Sequence, residues 1–194
     1  MNVPRVLLLT DRSQLPAGRD LVSTVAACAE AGLEAVVLRE LGLPEDQRQR
    51  LARALGSTGV AVVSARTRLD GAAGVHLASA QICPDQEPAL PHGRSCHDDA
   101  EIRAAVRGGA SYLTISPVAA SASKPGYGPA LGLPGVRRAV RLAGSVPVLA
   151  LGGIDAQNAA AMRNAGAHGV AVMGAVMRAD DPGAAFGRIA QAVR

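Results

Sequence analysis

Of the 20 basic residues in the chain, 19 are arginine and one is lysine, Lys124, set in the turn-like segment Ser121-Ala122-Ser123-Lys124-Pro125-Gly126. An ammonium is a compact point charge on a flexible stem, whereas a guanidinium is a planar fork. A sequence that writes arginine almost everywhere and lysine once therefore marks position 124 as one where the two are not interchangeable. A lone lysine on a loop is also what a solvated surface produces, so its meaning depends on its company. At or near the ends of short apolar runs elsewhere in the chain stand Asp11 and Arg12, Arg39 and Glu40, Ser64, His76, Ser95 and His97, Ser116, the pair Gly152 and Gly153, and Gly174. Guanidinium, ammonium and hydroxyl groups are donors to anions. Glycines that open a helix let backbone N–H groups close on a phosphate where the helix end carries positive partial charge. Gly152, Gly153 and Gly174 are thus candidate phosphate-binding positions, although paired glycines also make plain tight turns.

Histidine, with an ordinary pKa of about 6.5, is suited to moving a proton at neutral pH. His97 follows the run ending at Cys96 and is a candidate acid–base group; a histidine tied into the end of a sheet would look the same in sequence. His76 lies inside a run and reads as structural, and His92 and His168 precede runs and are assigned no role. Cys28, Cys83 and Cys96 lack metal-ligand spacing. Cys96 reads as a small apolar filler.

The elements that must carry these residues alternate. Eight short runs rich in branched apolar residues fall at Arg5–Thr10, Ala35–Arg39, Val60–Val63, Gly74–Leu77, Gly93–Cys96, Tyr112–Ile115, Val148–Leu151 and Gly169–Met173. Between them, apolar residues at three- and four-residue spacing predict helices at Leu21–Ala31, Pro44–Leu55, Asp98–Gly108, Leu133–Leu142, Asp155–Ala165 and Pro182–Val193. Asp155 and Asp181 are placed as N-caps, with Pro182 at the first helical position. Gly32, Gly109 and Gly166 stand where helices end before strands. Eight such units over residues 1–194 predict one α/β domain, a (β/α)₈ TIM barrel, whose site lies at the C-terminal ends of the strands. The segments after the third and fourth runs are too short for full helices, the second carrying Pro84, Pro88 and Pro91. An open doubly wound sheet is the alternative, but it leaves two runs unused and no G-x-G-x-x-G follows the first strand.

Composition narrows the partners. Net charge is +4, yet the chain has no Trp, one Phe and two Tyr, so no stacking platform for nucleic-acid bases is present. The apolar runs are broken by Gly or Pro well short of the roughly 20 residues of a membrane span, and no signal-peptide pattern opens the chain. Three cysteines, an odd number, fit a reducing, cytoplasmic setting. A homodimer is left open.

In order along the chain stand Leu9-Thr10-Asp11, Leu38-Arg39-Glu40, Gly74-Val75-His76-Leu77 and Gly93-Arg94-Ser95-Cys96-His97. Ser116-Pro117-Val118, Ser121-Ala122-Ser123-Lys124, Gly152-Gly153-Ile154 and Val172-Met173-Gly174 complete the set. Together they resemble the thiamine phosphate synthase and thiazole tautomerase superfamily over nearly the whole chain. The resemblance implies a TIM barrel in thiamine biosynthesis that binds a phosphorylated thiazole, with the phosphate on Gly152, Gly153 and Gly174. It gives Arg39 and Ser95 to the diphosphate of an aminopyrimidine and Lys124 to the site beside both substrates, and it puts Ser121 and Ser123 where the family has Thr. In the synthase, Mg²⁺ and basic residues help the diphosphate leave and the thiazole nitrogen takes the resulting cation.

The departures sit at the metal. Ser64 and Ala65 replace an Asn-Asp pair, Gln81 stands in place of an Asp, and Leu41 replaces a Lys. Mg²⁺ requires carboxylate oxygens in near-octahedral array. The first expectation is therefore a tautomerase-like protein that binds thiazole phosphate, uses His97 and Lys124 catalytically, needs no metal and does not couple the two synthase substrates. The usual tautomerase histidine, however, falls at Pro117. The alternatives are a synthase with Mg²⁺ held by a rebuilt set from Asp11, Glu40 and Asp70, and a noncatalytic thiazole-phosphate binder.

Overall fold

The computed structural model describes residues 2–82, 91–120 and 129–194. Eight parallel strands close on themselves in sequence order: β1 (Val6–Leu9), β2 (Ala35–Leu38), β3 (Ala61–Ala65), β4 (Gly74–Leu77), β5 (His92–Cys96), β6 (Tyr112–Ile115), β7 (Val148–Leu151) and β8 (Gly169–Val172). The circle is completed by β1 pairing with β8 through Val6↔Val170 and Leu8↔Val172. Around it lie α1 (Leu21–Glu30), α2 (Glu45–Gly56), α3 (Asp99–Arg107), α4 (Gly132–Ala143), α5 (Ala159–Asn164), the short α6 (Gly174–Met177) and α7 (Pro182–Ala192). The (β/α)₈ barrel read from the runs is the observed architecture.

Because side chains alternate along a strand, each strand feeds two cores. Leu7, Leu9, Ala35, Val37, Val63, Ala65, Tyr112, Leu149 and Ala171 fill the barrel. Val6, Leu8, Val36, Leu38, Val62, Leu113, Ile115, Val170 and Val172 point outward under the helices. Helix starts follow local chemistry. Asp20, Asp98 and Asp181 accept hydrogen bonds from the backbone N–H groups of Ser23, Glu101 and Ala184, each at 2.8 Å, and Pro182 takes the first turn of α7. Gly32, Gly109 and Gly166 carry φ of 96°, 72° and 97° at the helix ends, a conformation that costs side chains with a Cβ.

Two expectations need correcting, and one element is new. Asp155 is not the N-cap of α5; it accepts from the N–H groups of Gln157 (2.9 Å) and Asn158 (3.2 Å), winding a turn that places Asn158 at the cap. The third strand runs to Ala65 rather than Val63, since Ser64 and Ala65 still pair with β4. The one-turn α6 after the eighth strand has too few residues to show a period and was not foreseen. No helix lies between β3 and β4, as expected. No helix among the described residues is long and apolar enough to cross a membrane.

Candidate functional site

Arg39 leaves the end of β2 and crosses the mouth of the barrel. Its backbone N–H donates to Thr10 Oγ1 (3.0 Å), and its guanidinium lies 3.6 Å from the Asp11 carboxylate and 3.7 Å from the Met173 sulfur after β8. Asp11 is fixed in turn by Ser13 Oγ (2.6 Å) and Gln14 Nε2 (2.7 Å). Burial raises the Asp11 carboxyl, but the donors Ser13 and Gln14, with Arg39 alongside, outweigh it and hold the pKa below its ordinary value. The group stays an anion that anchors the Arg39 fork without neutralising every donor on it. Glu40 is buried and spends its carboxylate on Arg12, through the backbone N–H at 3.1 Å and the side chain at 3.8 Å.

Three strands at one level build the next part. His76 on β4 is in register with Gly93 on β5, and Gly93 with Tyr112 on β6. A Cβ at Gly93 would fall inside the Tyr112 ring, so the glycine is the slot through which that ring reaches His76. The rings stack with centroids 5.5 Å apart, Tyr112 Oη is 3.0 Å from His76 Nδ1, and His76 Nε2 is 2.9 Å from Ser95 Oγ. Burial, reinforced by the Arg94 guanidinium, pushes His76 down to about 4, so it is neutral at physiological pH. The sequence reading of His76 as a strand residue without a site role missed this link to Ser95, and the Arg94 contacts were missed too. Arg94, buried, donates to the carbonyls of Ala78 (3.0 Å), Ser79 and Gln81, tying down the loop after β4.

Across the mouth, Gly152 and Gly153 follow β7 with φ of 96° and 66°. The loop after β6 lies directly on them: a Cβ on Gly152 would be 3.1 Å from Pro117 Cα, and one on Gly153 would strike the Ala120 carbonyl. Val118 donates to Leu151 O and Ala119 to Gly152 O, while Asn158 Nδ2 donates to Gly153 O (2.7 Å). Gly174 opens α6, and the Arg178 guanidinium folds back over it and donates to Gln14 Oε1. The N–H groups of Gly152, Gly153 and Gly174 have no acceptor among the described residues. Arg178 was not foreseen; only its place four residues after Gly174 could have signalled it, since helical side chains lean toward the N-terminus.

His97 is half-buried at the rim, its Nδ1 2.9 Å from Ser116 O and its backbone N–H donating to Glu101 (2.7 Å); it lines a groove between α3 and α4 with Asp98, Leu131 and Arg138. Ser121, Ser123 and Lys124 lie outside the described residues. Cys96 is fully buried in the outer core with its thiol pushed up to about 12 by burial, which suits an apolar filler. His168 is engaged at the opposite end, its Nε2 donating to Val3 O at 2.9 Å and its Nδ1 lying 3.3 Å from Arg5 Nη1.

The positions that would hold Mg²⁺ do not fit it. Ala65 turns a methyl into the barrel while its carbonyl accepts from Arg48 (2.7 Å). Gln81 accepts from Ala78 N–H (3.3 Å) and donates to the carbonyl of Arg66 (2.6 Å), a residue at φ 67°. The rebuilt set fares no better. Asp11 and Glu40 are engaged as above, Asp70 exchanges its backbone with Gln49 on α2, and the described residues contain no cluster of three metal-ligating side chains.

Comparison with known proteins finds relatives over nearly the whole chain. The thiamine monophosphate synthase family model matches residues 6–176. A thiamine-phosphate synthase of Salinispora tropica is 34% identical over 207 residues, covering 97% of this chain and 97% of that protein. One of Prochlorococcus marinus (strain MIT 9303) is 34% identical over 201 residues, covering 97% of this chain; the match spans 56% of that longer protein, so the chain is about half its length. The solved structure of a thiamine phosphate pyrophosphorylase from Pyrococcus furiosus superposes with a TM-score of 0.83 at 26% identity, over 97% of this chain and 95% of that one. With the family model running from the first residue of β1 into α6, the chain belongs to the thiamine monophosphate synthase family.

Proposed function

We propose that the protein is a thiamine phosphate synthase, joining an aminopyrimidine diphosphate to a thiazole phosphate with release of diphosphate. The observation that carries this reading is the kinship over nearly the full length of both chains with a protein named thiamine-phosphate synthase. The same relatives support the synthase over the tautomerase-like reading that the residues at 65 and 81 first suggested.

The thiazole phosphate sits against the open N–H groups of Gly152, Gly153 and Gly174, with Arg178 adding a full positive charge. Arg39, Ser95 and Lys124 receive the diphosphate, and Ser121 and Ser123 bind the substrates' polar atoms. The bond between the pyrimidine methylene carbon and the diphosphate oxygen breaks, its electron pair leaving with the diphosphate. The thiazole nitrogen then donates its lone pair to the methylene carbon. Preorganised cations and donors lower the cost of charge developing on the leaving group. No step is assigned to Mg²⁺, because Ala65 and Gln81 supply no carboxylate. His97 has no part in this reaction; it is the acid–base group only if the protein proves to be a tautomerase.

The test is mass-spectrometric detection of thiamine phosphate from the purified protein and both substrates, with and without Mg²⁺. Product formation, abolished or cut at least tenfold in Lys124→Ala, is expected. Binding of thiazole phosphate without any product would transfer the assignment to the noncatalytic binder, a reading the loss of both carboxylates favours. Aromatisation of the thiazole alone, lost in His97→Ala, would restore the tautomerase.

A further inference from the structure

We propose that His76 is a positioning residue: Tyr112 locks it in the tautomer with the proton on Nε2, and that N–H turns the Ser95 hydroxyl so that its own proton points into the barrel mouth toward an anionic ligand. The anion rests on the function proposed above; the lock rests on hydrogen-bond counting alone.

Neutral imidazole has one donor and one acceptor nitrogen, so the chain Tyr112–His76–Ser95 can run in only two directions. In one, Tyr112 O–H donates to Nδ1 and Nε2–H donates to Ser95 Oγ, over the observed 3.0 and 2.9 Å. In the other, Nδ1–H donates to Tyr112 Oη and Ser95 O–H to Nε2. Tyr112 is 1% exposed and His76 is its one hydrogen-bond partner among the described residues, so the second direction strands the phenol proton in the core. The first strands nothing, because Ser95 is only partly buried and its hydroxyl proton is left free for solvent or a ligand. An orphaned buried donor is the costlier error, and it selects the first direction. A doubly protonated ring is opposed by burial and by Arg94. Gly93 is part of the device, since any side chain there would displace the Tyr112 ring. The consequence is that Ser95 meets the ligand as a fixed donor, with its acceptor side already satisfied.

Two measurements decide it. In ¹⁵N NMR of the whole protein, His76 is expected to show a protonated Nε2 and a bare Nδ1; a protonated Nδ1 overturns the proposal. Calorimetry with inorganic diphosphate should show about a tenfold loss of affinity for Tyr112→Phe, similar to that for Ser95→Ala. The double variant should be no weaker than Ser95→Ala, because the tyrosine acts only through the serine. Losses that multiply, or wild-type affinity in Tyr112→Phe, overturn it. If Tyr112→Phe does not fold, His76→Gln, whose amide N–H still reaches Ser95, should keep most of the affinity that His76→Leu loses; equal losses overturn it. Should the wild type bind no diphosphate while Nε2 is protonated, the anion assignment falls and the tautomer lock stands.

Discussion

Arg39 and Asp11 show how one ion pair can present a fork without consuming it. At 3.6 Å the carboxylate orients the guanidinium, and both this contact and the one to the Met173 sulfur fall on Nη1. A lysine at 39 would keep the charge and lose the paired donors. Arg39→Lys is expected to weaken diphosphate binding about tenfold by calorimetry with the fold intact by circular dichroism. His76 gives a prediction about stability. Its folded pKa is depressed to about 4 while the unfolded chain's histidine titrates near 6.5, so below pH 6.5 the unfolded state binds the extra proton. Its contribution is fully present above pH 6.5 and is lost as the pH falls toward 4. Urea unfolding should show stability lower by roughly 2 kcal/mol at pH 5 than at pH 7, and His76→Gln should flatten that part of the slope. An equal slope in the variant would assign the acid sensitivity to other groups.

At the level of elements, the mouth is held by loops that lean on each other. Gly153 has φ 66° with the Ala120 carbonyl at the place of its missing Cβ, so Gly153→Ala must both adopt a strained backbone and push the loop after β6 away. It should lower stability by about 1–3 kcal/mol and weaken thiazole-phosphate binding, both measurable by thermal shift with and without ligand. By contrast Asp181→Ala removes the cap of α7, a residue with no assigned part in the site. A loss of about 1 kcal/mol with unchanged ligand affinity is expected.

The whole molecule distributes its charge unevenly around the site proposed for two phosphorylated substrates. Cations converge on the mouth from β2 and α6, while the carboxylates nearby are each committed to a protein partner. Diphosphate affinity is therefore expected to change less than about threefold when millimolar Mg²⁺ replaces EDTA, measured by calorimetry. A tenfold gain with Mg²⁺ would show that the ion binds by a route other than the two vacated carboxylate positions.

The strand order, the barrel and the missing helix between β3 and β4 are readable from residue patterns, as is the place of Gly152, Gly153 and Gly174 directly after β7 and β8. Burial period, caps and turn glycines are local, and local chemistry is written consecutively along the chain. The family resemblance names Arg39 and Ser95, which the fold places just after β2 and near the end of β5. What the patterns hid was the link from Ser95 through His76 to Tyr112, the back-folded Arg178, and the use of Gln81 and Arg94 to knit one loop. His76 inside an apolar run has the same local signature whether its nitrogens are partnered by water, by backbone or by a serine on the next strand. The partner is fixed by register, which aligns His76, Gly93 and Tyr112 at one level. Register is a property of the closed barrel, because a strand slipped by one residue turns every side chain to the other face.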